Sequence, residues 1–167
     1  MMEVLLFLLT LLFFNVLVLH FREPSAGPTE IKFKKMDPVA VLPSRAYPGD
    51  AGLDLTAVSV SIDEDKVTYD FGLAVEIPAG YVGLIFPRSS IKYMDLAMTN
   101  CVGVIDSGCR EPLSATFRIL KDFPQIYSAG ARIAQLVVMP VSLLKPQWAD
   151  TLSDTARAGG GFGSSGR

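Results

Sequence analysis

Tyr69-Asp70-Phe71-Gly72-Leu73-Ala74-Val75-Glu76-Ile77 is the stretch that decides the fold class. Every odd-numbered position is large and apolar, while the even positions carry Asp70, Gly72, Ala74 and Glu76. That is the two-residue period of a strand with one face buried. Upstream, Val58, Val60 and Ile62 alternate with Ser59 and Ser61 in the same way. Downstream, short apolar runs follow at Tyr81–Phe86, Ala115–Leu120 and Ile133–Met139. Breakers stand between them: Pro48-Gly49-Asp50, Pro78-Ala79-Gly80, Ser107-Gly108, Pro124, Ala129-Gly130 and Pro140. Short strands separated by turn signals predict an all-β sandwich or jelly roll. A short helical turn is expected over Ile91–Leu96. No long amphipathic helix occurs in this body, which argues against a Rossmann or P-loop architecture.

The two ends read differently. Val4 to Leu19 is almost unbroken hydrocarbon, interrupted by Thr10 and Asn15. As a helix it would reach about 24–27 Å, just short of a bilayer core of about 30 Å. Glu3 precedes the run and Arg22, Lys32, Lys34 and Lys35 follow it. If residues 4–19 anchor the chain in a membrane, the positive flank puts the rest on the cytoplasmic side. The competing reading is that translation begins downstream, for example at Met36. Residues 1–30 are therefore expected to be a leader or anchor, 31–150 the β domain, and 151–167 a flexible arm rich in glycine.

Composition prunes the chemistry. The 167 residues carry 15 basic and 17 acidic side chains, without the basic surplus that grips nucleic acid, so no nucleic-acid partner is expected. The single histidine, His20, lies in the leader. Imidazole-based triads and histidine-ligated metals are thereby excluded from the body of one chain. Two cysteines, Cys101 and Cys109, cannot build a four-ligand zinc site or the cysteine pattern of the zinc deaminases. Catalysis must then use carboxylates, hydroxyls, guanidinium groups, backbone dipoles or an oxygen-bound metal.

Five segments carry such groups. Ala51-Gly52-Leu53-Asp54-Leu55 sets a carboxylate between apolar neighbours. Pro87-Arg88-Ser89-Ser90 follows a strand and offers a guanidinium, two hydroxyls and turn amides to a phosphate. Gly103-Val104-Ile105-Asp106-Ser107-Gly108 is an apolar strand ending in a carboxylate and a turn. Arg132-Ile133-Ala134-Gln135-Leu136 is a strand with an arginine and an amide, and Arg157 to Gly166 is a glycine-rich arm with Phe162, Ser164 and Ser165. Singly, each reads equally as turn, cap or strand chemistry. Together they are a kit for holding a triphosphate with Mg²⁺ and activating water.

In this order the five segments resemble the five motifs of the trimeric dUTP pyrophosphatase (dUTPase) family, over about Ile31 to Gly166. The resemblance implies a jelly-roll-like β-barrel, a homotrimer with shared sites, and Mg²⁺-assisted cleavage of dUTP to dUMP and pyrophosphate. It implies that Asp106 positions and deprotonates the attacking water, and that Asp54 holds waters of the Mg²⁺ shell. Arg88, Ser89, Ser90 and Gln135 correspond to phosphate-contacting residues, and Arg157 to the arginine on the γ-phosphate. Phe162 matches the aromatic that covers the uracil, with Gly163, Ser164 and Ser165 around the phosphates. Asn100, Val104 and Ile105 belong to the nucleoside pocket, whose backbone reads the uracil edge.

The chain departs from the family pattern inside the turn after Asp106. Cys109 stands where a tyrosine that packs under the deoxyribose is expected, Glu111 replaces a glycine, and Pro112 removes a backbone donor. Weaker discrimination between dUTP and UTP is expected. The same departure motivates the alternative of a catalytically weakened, nucleotide-sensing or partner-binding descendant of the fold. A dCTP deaminase on the related fold is a further alternative.

Overall fold

The computed structural model describes residues 27–157, 159–161 and 164. Ten strands form, all pairing antiparallel: β1 (Lys32–Lys35), β2 (Leu53–Thr56), β3 (Ser59–Asp63), β4 (Lys66–Asp70), β5 (Leu73–Glu76), β6 (Tyr81–Pro87), β7 (Leu96–Met98), β8 (Gly103–Ile105), β9 (Ser114–Ile119) and β10 (Arg132–Pro140). They make one four-stranded sheet in the order β2-β10-β6-β8, a second in the order β3-β4-β9-β7, and a two-stranded sheet of β1 and β5. The fold is all-β, as the alternation predicts. The expected barrel is corrected: among the described residues no strand pairing joins the sheets into a closed barrel. The chain changes sheet at sharp corners instead. Ala57 N–H donates to Ala131 on the β10 side, and the next residue, Val58, donates to Asp70 on the β4 side.

One core fills the space between the four-stranded sheets. Leu53, Leu55, Ile85, Ala134 and Leu136 from one sheet meet Val67, Tyr69, Leu96, Ala115 and Phe117 from the other. Burying a side chain of this size contributes about 1.5–3 kcal/mol. Tyr69 is the polar exception in the centre. Its ring meets Phe117 and Tyr127 edge-on, and its hydroxyl both accepts from Tyr127 N–H and donates to Tyr127 C=O. Burial pushes the Tyr69 phenol above its ordinary pKa, partly offset by the backbone bond to Tyr127.

The deciding stretch is not one strand. Asp70 ends β4, and Gly72, at φ +62°, turns the chain into β5. The Asp70 carboxylate accepts the Gly72 N–H at 2.6 Å, and a Cβ at Gly72 would lie 2.7 Å from that of Asp37. Only glycine suits this corner. The helical turn also differs from expectation: a single 3₁₀ turn spans Ser89–Tyr93, and Leu96 already begins β7.

The membrane anchor is corrected too. No helix among the described residues is long and apolar enough to cross a membrane, and residues 4–19 lie outside the described residues. The localisation that rested on that anchor loses its support. After Pro140 there is no further helix or strand among the described residues, and every residue from 141 to 157 is exposed.

Candidate functional site

Asp54 organises the first half of the site. Buried Leu53 and Leu55 flank it on β2, so the period of two turns its carboxylate outward. Arg88 Nε lies 2.8 Å from one carboxylate oxygen and Arg132 Nη1 2.9 Å from the other. The Asp54 side chain is only 12% exposed, so the two guanidinium groups hold a charge that is largely withdrawn from water. Arg88 is aimed by its backbone: it is extended between Pro87 and the 3₁₀ turn, and its N–H donates to Ile133 C=O. Gln135 stands directly opposite Asp54 in the β2–β10 register. A Cβ at Gly52 would run into the Gln135 amide, so glycine there makes room for this side chain.

Asp54, Arg88, Ser89 and Gln135, with Asp50 and Gly52, line a cleft of about 400 Å³. Four of the expected site residues therefore come together within one chain. Ser90 does not join them, because its hydroxyl meets the Tyr127 phenol at 2.8 Å and ties the 3₁₀ turn to the core.

Arg132, named with its segment in the sequence but given no site role there, joins this cluster. In a regular strand, positions 132 and 135 face opposite ways. A β-bulge between Arg132 and Ala134 resets the phase, leaving Ile133 and Ala134 both buried and Arg132 beside Asp54.

Asp106 lies elsewhere. It follows β8, and the β6–β8 register pairs Ile105 with Gly83, so Asp106 falls beside Val82. Arg88 is six residues further along β6, about 20 Å at 3.3 Å per residue. One carboxylate and one guanidinium so placed cannot serve the same phosphate group of a single chain. Asp106, exposed, opens a turn closed by Cys109 N–H on the Asp106 C=O at 3.0 Å. Val104 is exposed and Ile105 half-buried on β8, and exposed Asn100 lies in the turn before it. Cys109 is half-buried, and both cysteines are free thiols.

Of the arm, Arg157 donates to the Ser164 hydroxyl at 3.3 Å and to Gly161 C=O at 3.4 Å. Phe162, Gly163 and Ser165 lie outside the described residues.

The face that carries the cleft is otherwise apolar. Val82, Leu84 and Phe86 on β6, Val137 and Met139 on β10, and Val104 on β8 share one side through the pairings Val82–Met139, Leu84–Val137 and Leu84–Val104. All six are half-buried or exposed, and none packs into the core.

Comparison with known proteins identifies the family and the fold. The profile of the dUTPase family matches residues 39–166. The deoxyuridine 5'-triphosphate nucleotidohydrolase of Rhodococcus erythropolis is 41% identical over 140 residues, covering 81% of this chain and 85% of the relative. That of Gloeobacter violaceus is 37% identical, covering 83% and 98%. Among solved structures, the dUTPase of Staphylococcus bacteriophage 80alpha with dUPNHPP superposes at a TM-score of 0.72, with 25% identity over 84% of this chain and 100% of that one. Every one of the five motif segments falls within the matched span, and on these grounds the chain belongs to the dUTPase family.

Proposed function

We infer that this chain hydrolyses dUTP to dUMP and pyrophosphate at sites assembled from more than one copy, with Asp106 activating the water that attacks the α-phosphorus. The observation that carries this reading is the separation within the site. The phosphate-binding groups Arg88, Ser89 and Gln135 gather in one cleft, while Asp106 stands about 20 Å along the sheet. A neighbouring copy supplies the missing half, and the homotrimer of the family has the symmetry to do so three times over. The unpacked apolar face continuous with the cleft is the surface on which that copy sits, since association buries what folding leaves exposed.

Within the assembled site the division of labour follows from charge. Arg88 and the amide of Gln135 orient the phosphate chain, and the arm brings Arg157 and Ser164 to its far end. The Asp106 carboxylate serves as a base once a water lies within hydrogen-bond reach. Phe162 covers the base, and closure of the arm keeps bulk water out.

Among the described residues no group of three His, Cys, Asp or Glu could hold a metal ion directly. The donor set is one of hard oxygens around Asp54, each of whose carboxylate oxygens keeps a second lone-pair direction beside its arginine. These residues fit Mg²⁺ carried by the substrate's own phosphates, with Asp54 receiving its waters. When bound, the ion neutralises phosphate charge and fixes the chain's conformation. The test is pyrophosphate release measured side by side with dUTP, UTP, dCTP and dTTP in the presence of Mg²⁺. Release from dUTP is expected to dominate, and a protein that binds dUTP yet releases no pyrophosphate overturns the reading.

A further inference from the structure

We infer that Arg110 is a positioning residue for the Asp106 turn, and that Glu76 on β5 anchors it there; this rests on the role of Asp106 given above. Between Asp106 and Pro112, Arg110 is the one side chain that makes a hydrogen bond or an ion pair among the described residues. Its Nη1 donates to Ser107 C=O at 2.8 Å and to Cys109 C=O at 2.7 Å. Those carbonyls belong to the turn that Asp106 opens and Cys109 closes. The other nitrogen, Nη2, faces Glu76 at 3.9 Å, and Glu76 is held in turn by Lys32 Nζ at 3.3 Å.

The mechanical need for such a tie is visible in the chain path. On its upstream side the turn hangs from β8, a three-residue edge strand. On its downstream side the next backbone anchor is Leu113, which exchanges hydrogen bonds with Leu73 and Phe71. Glu111 and Pro112 lie exposed between, and Pro112 has no N–H to give. The guanidinium therefore braces the turn across two of its carbonyls and faces Glu76 of β5, and it holds the turn rather than the nucleotide. A base that must hold a water in line is sensitive to such a tie, because displacement by about 1 Å costs up to about 100-fold in rate.

Steady-state kinetics with dUTP on the full chain tests this, together with the unfolding midpoint. Arg110→Gln is expected to lower kcat about tenfold with KM within about twofold and the midpoint unchanged. Arg110→Lys, whose ammonium can still donate to both carbonyls, is expected to recover most of that loss. Glu76→Gln leaves the two carbonyl bonds in place, and its exposed ion pair is weak, so a drop of about twofold in kcat, erased by high salt, is expected; it serves as the readout if Arg110→Gln fails to fold. A wild-type level of kcat in Arg110→Gln, or a rise confined to KM, overturns the inference while leaving Asp106 as the base. A wild-type protein inactive on dUTP overturns the functional reading and this inference with it.

Discussion

The Asp54 cleft and the Asp106 turn each present an aspartate, and their surroundings are opposite. Asp54 is nearly buried, flanked by core leucines, and gripped on both oxygens by arginines from two other segments. Asp106 is exposed just after a short edge strand, and among the described residues no side chain bonds to its carboxylate. The first carboxylate is part of what folds the chain. The second is presented outward, and in the proposed reading it works only when another copy reaches it. Substitutions at the two positions should therefore fail in different ways.

The largest expected effect belongs to Asp106→Asn. Loss of a general base lowers turnover by about 10³-fold, while dUTP binding, which rests on the cleft and the arm, is retained. Calorimetric binding beside a pyrophosphate assay measures both. Stability should hardly respond, within about 0.5 kcal/mol, because an exposed unpaired carboxylate contributes little to folding. If affinity for dUTP disappeared together with turnover, the assignment of Asp106 to chemistry alone would be wrong.

Asp54→Ala should show the reverse balance. It leaves Arg88 and Arg132 facing each other across a partly buried gap, and removes two charge-assisted hydrogen bonds. A loss of about 2 kcal/mol in denaturant unfolding is expected. Arg132→Ala should cost less, because its side chain is more exposed than that of Arg88. Equal stability losses at positions 54 and 106 would erase the distinction drawn between them.

How much of this contrast is readable from residues alone depends on whether the signal is local. The alternation around Tyr69, Phe71 and Leu73 names buried positions correctly, and the Asp70–Gly72 pair holds the local chemistry of the corner that divides the stretch. Ser89–Tyr93 is shifted from the expected helical turn because Ser90 is recruited by Tyr127, a partner 37 residues away. The place of Arg132 beside Asp54 is not legible because a bulge, which no period-two count registers, moves it to that face. The five motifs identify the chemistry, yet their order along the chain carries no distance. Strand pairing is what puts Asp106 and Arg88 at opposite ends of β6. Closure into a barrel fails as an expectation for the same reason, since edge pairing is decided between strands far apart in sequence.

Cys109 probes the turn from the side of selectivity. The resemblance implies a tyrosine there, and in the proposed site a smaller thiol would leave space beside the sugar. Cys109→Tyr is therefore expected to raise the preference for dUTP over UTP by about tenfold, the scale on which a filled pocket rejects one added group. The ratio of kcat/KM for the two nucleotides measures it. Unchanged or better exclusion of UTP by the natural Cys109 would place sugar selection elsewhere in the assembled site.

Asp95 extends the comparison with a third carboxylate, held like Asp54 but far from the chemistry. It accepts from Gln125 N–H at 2.7 Å and pairs with Lys121 at 3.0 Å. The backbone bond from Gln125, then Lys121, holds its carboxyl below the ordinary aspartate value. A group whose pKa is lower folded than unfolded binds fewer protons in the native state. Its contribution is therefore complete above the unfolded value near 4 and is lost as pH falls through the lower folded value. Asp95→Asn should flatten the acid side of the stability curve below about pH 4 and leave dUTP turnover at neutral pH unaltered. Asp106→Ala is the comparison variant, since among the described residues no side chain bonds to that carboxylate. Unfolding midpoints from pH 2 to 7 for the two variants compare a carboxylate that belongs to the fold with one that belongs to the assembly.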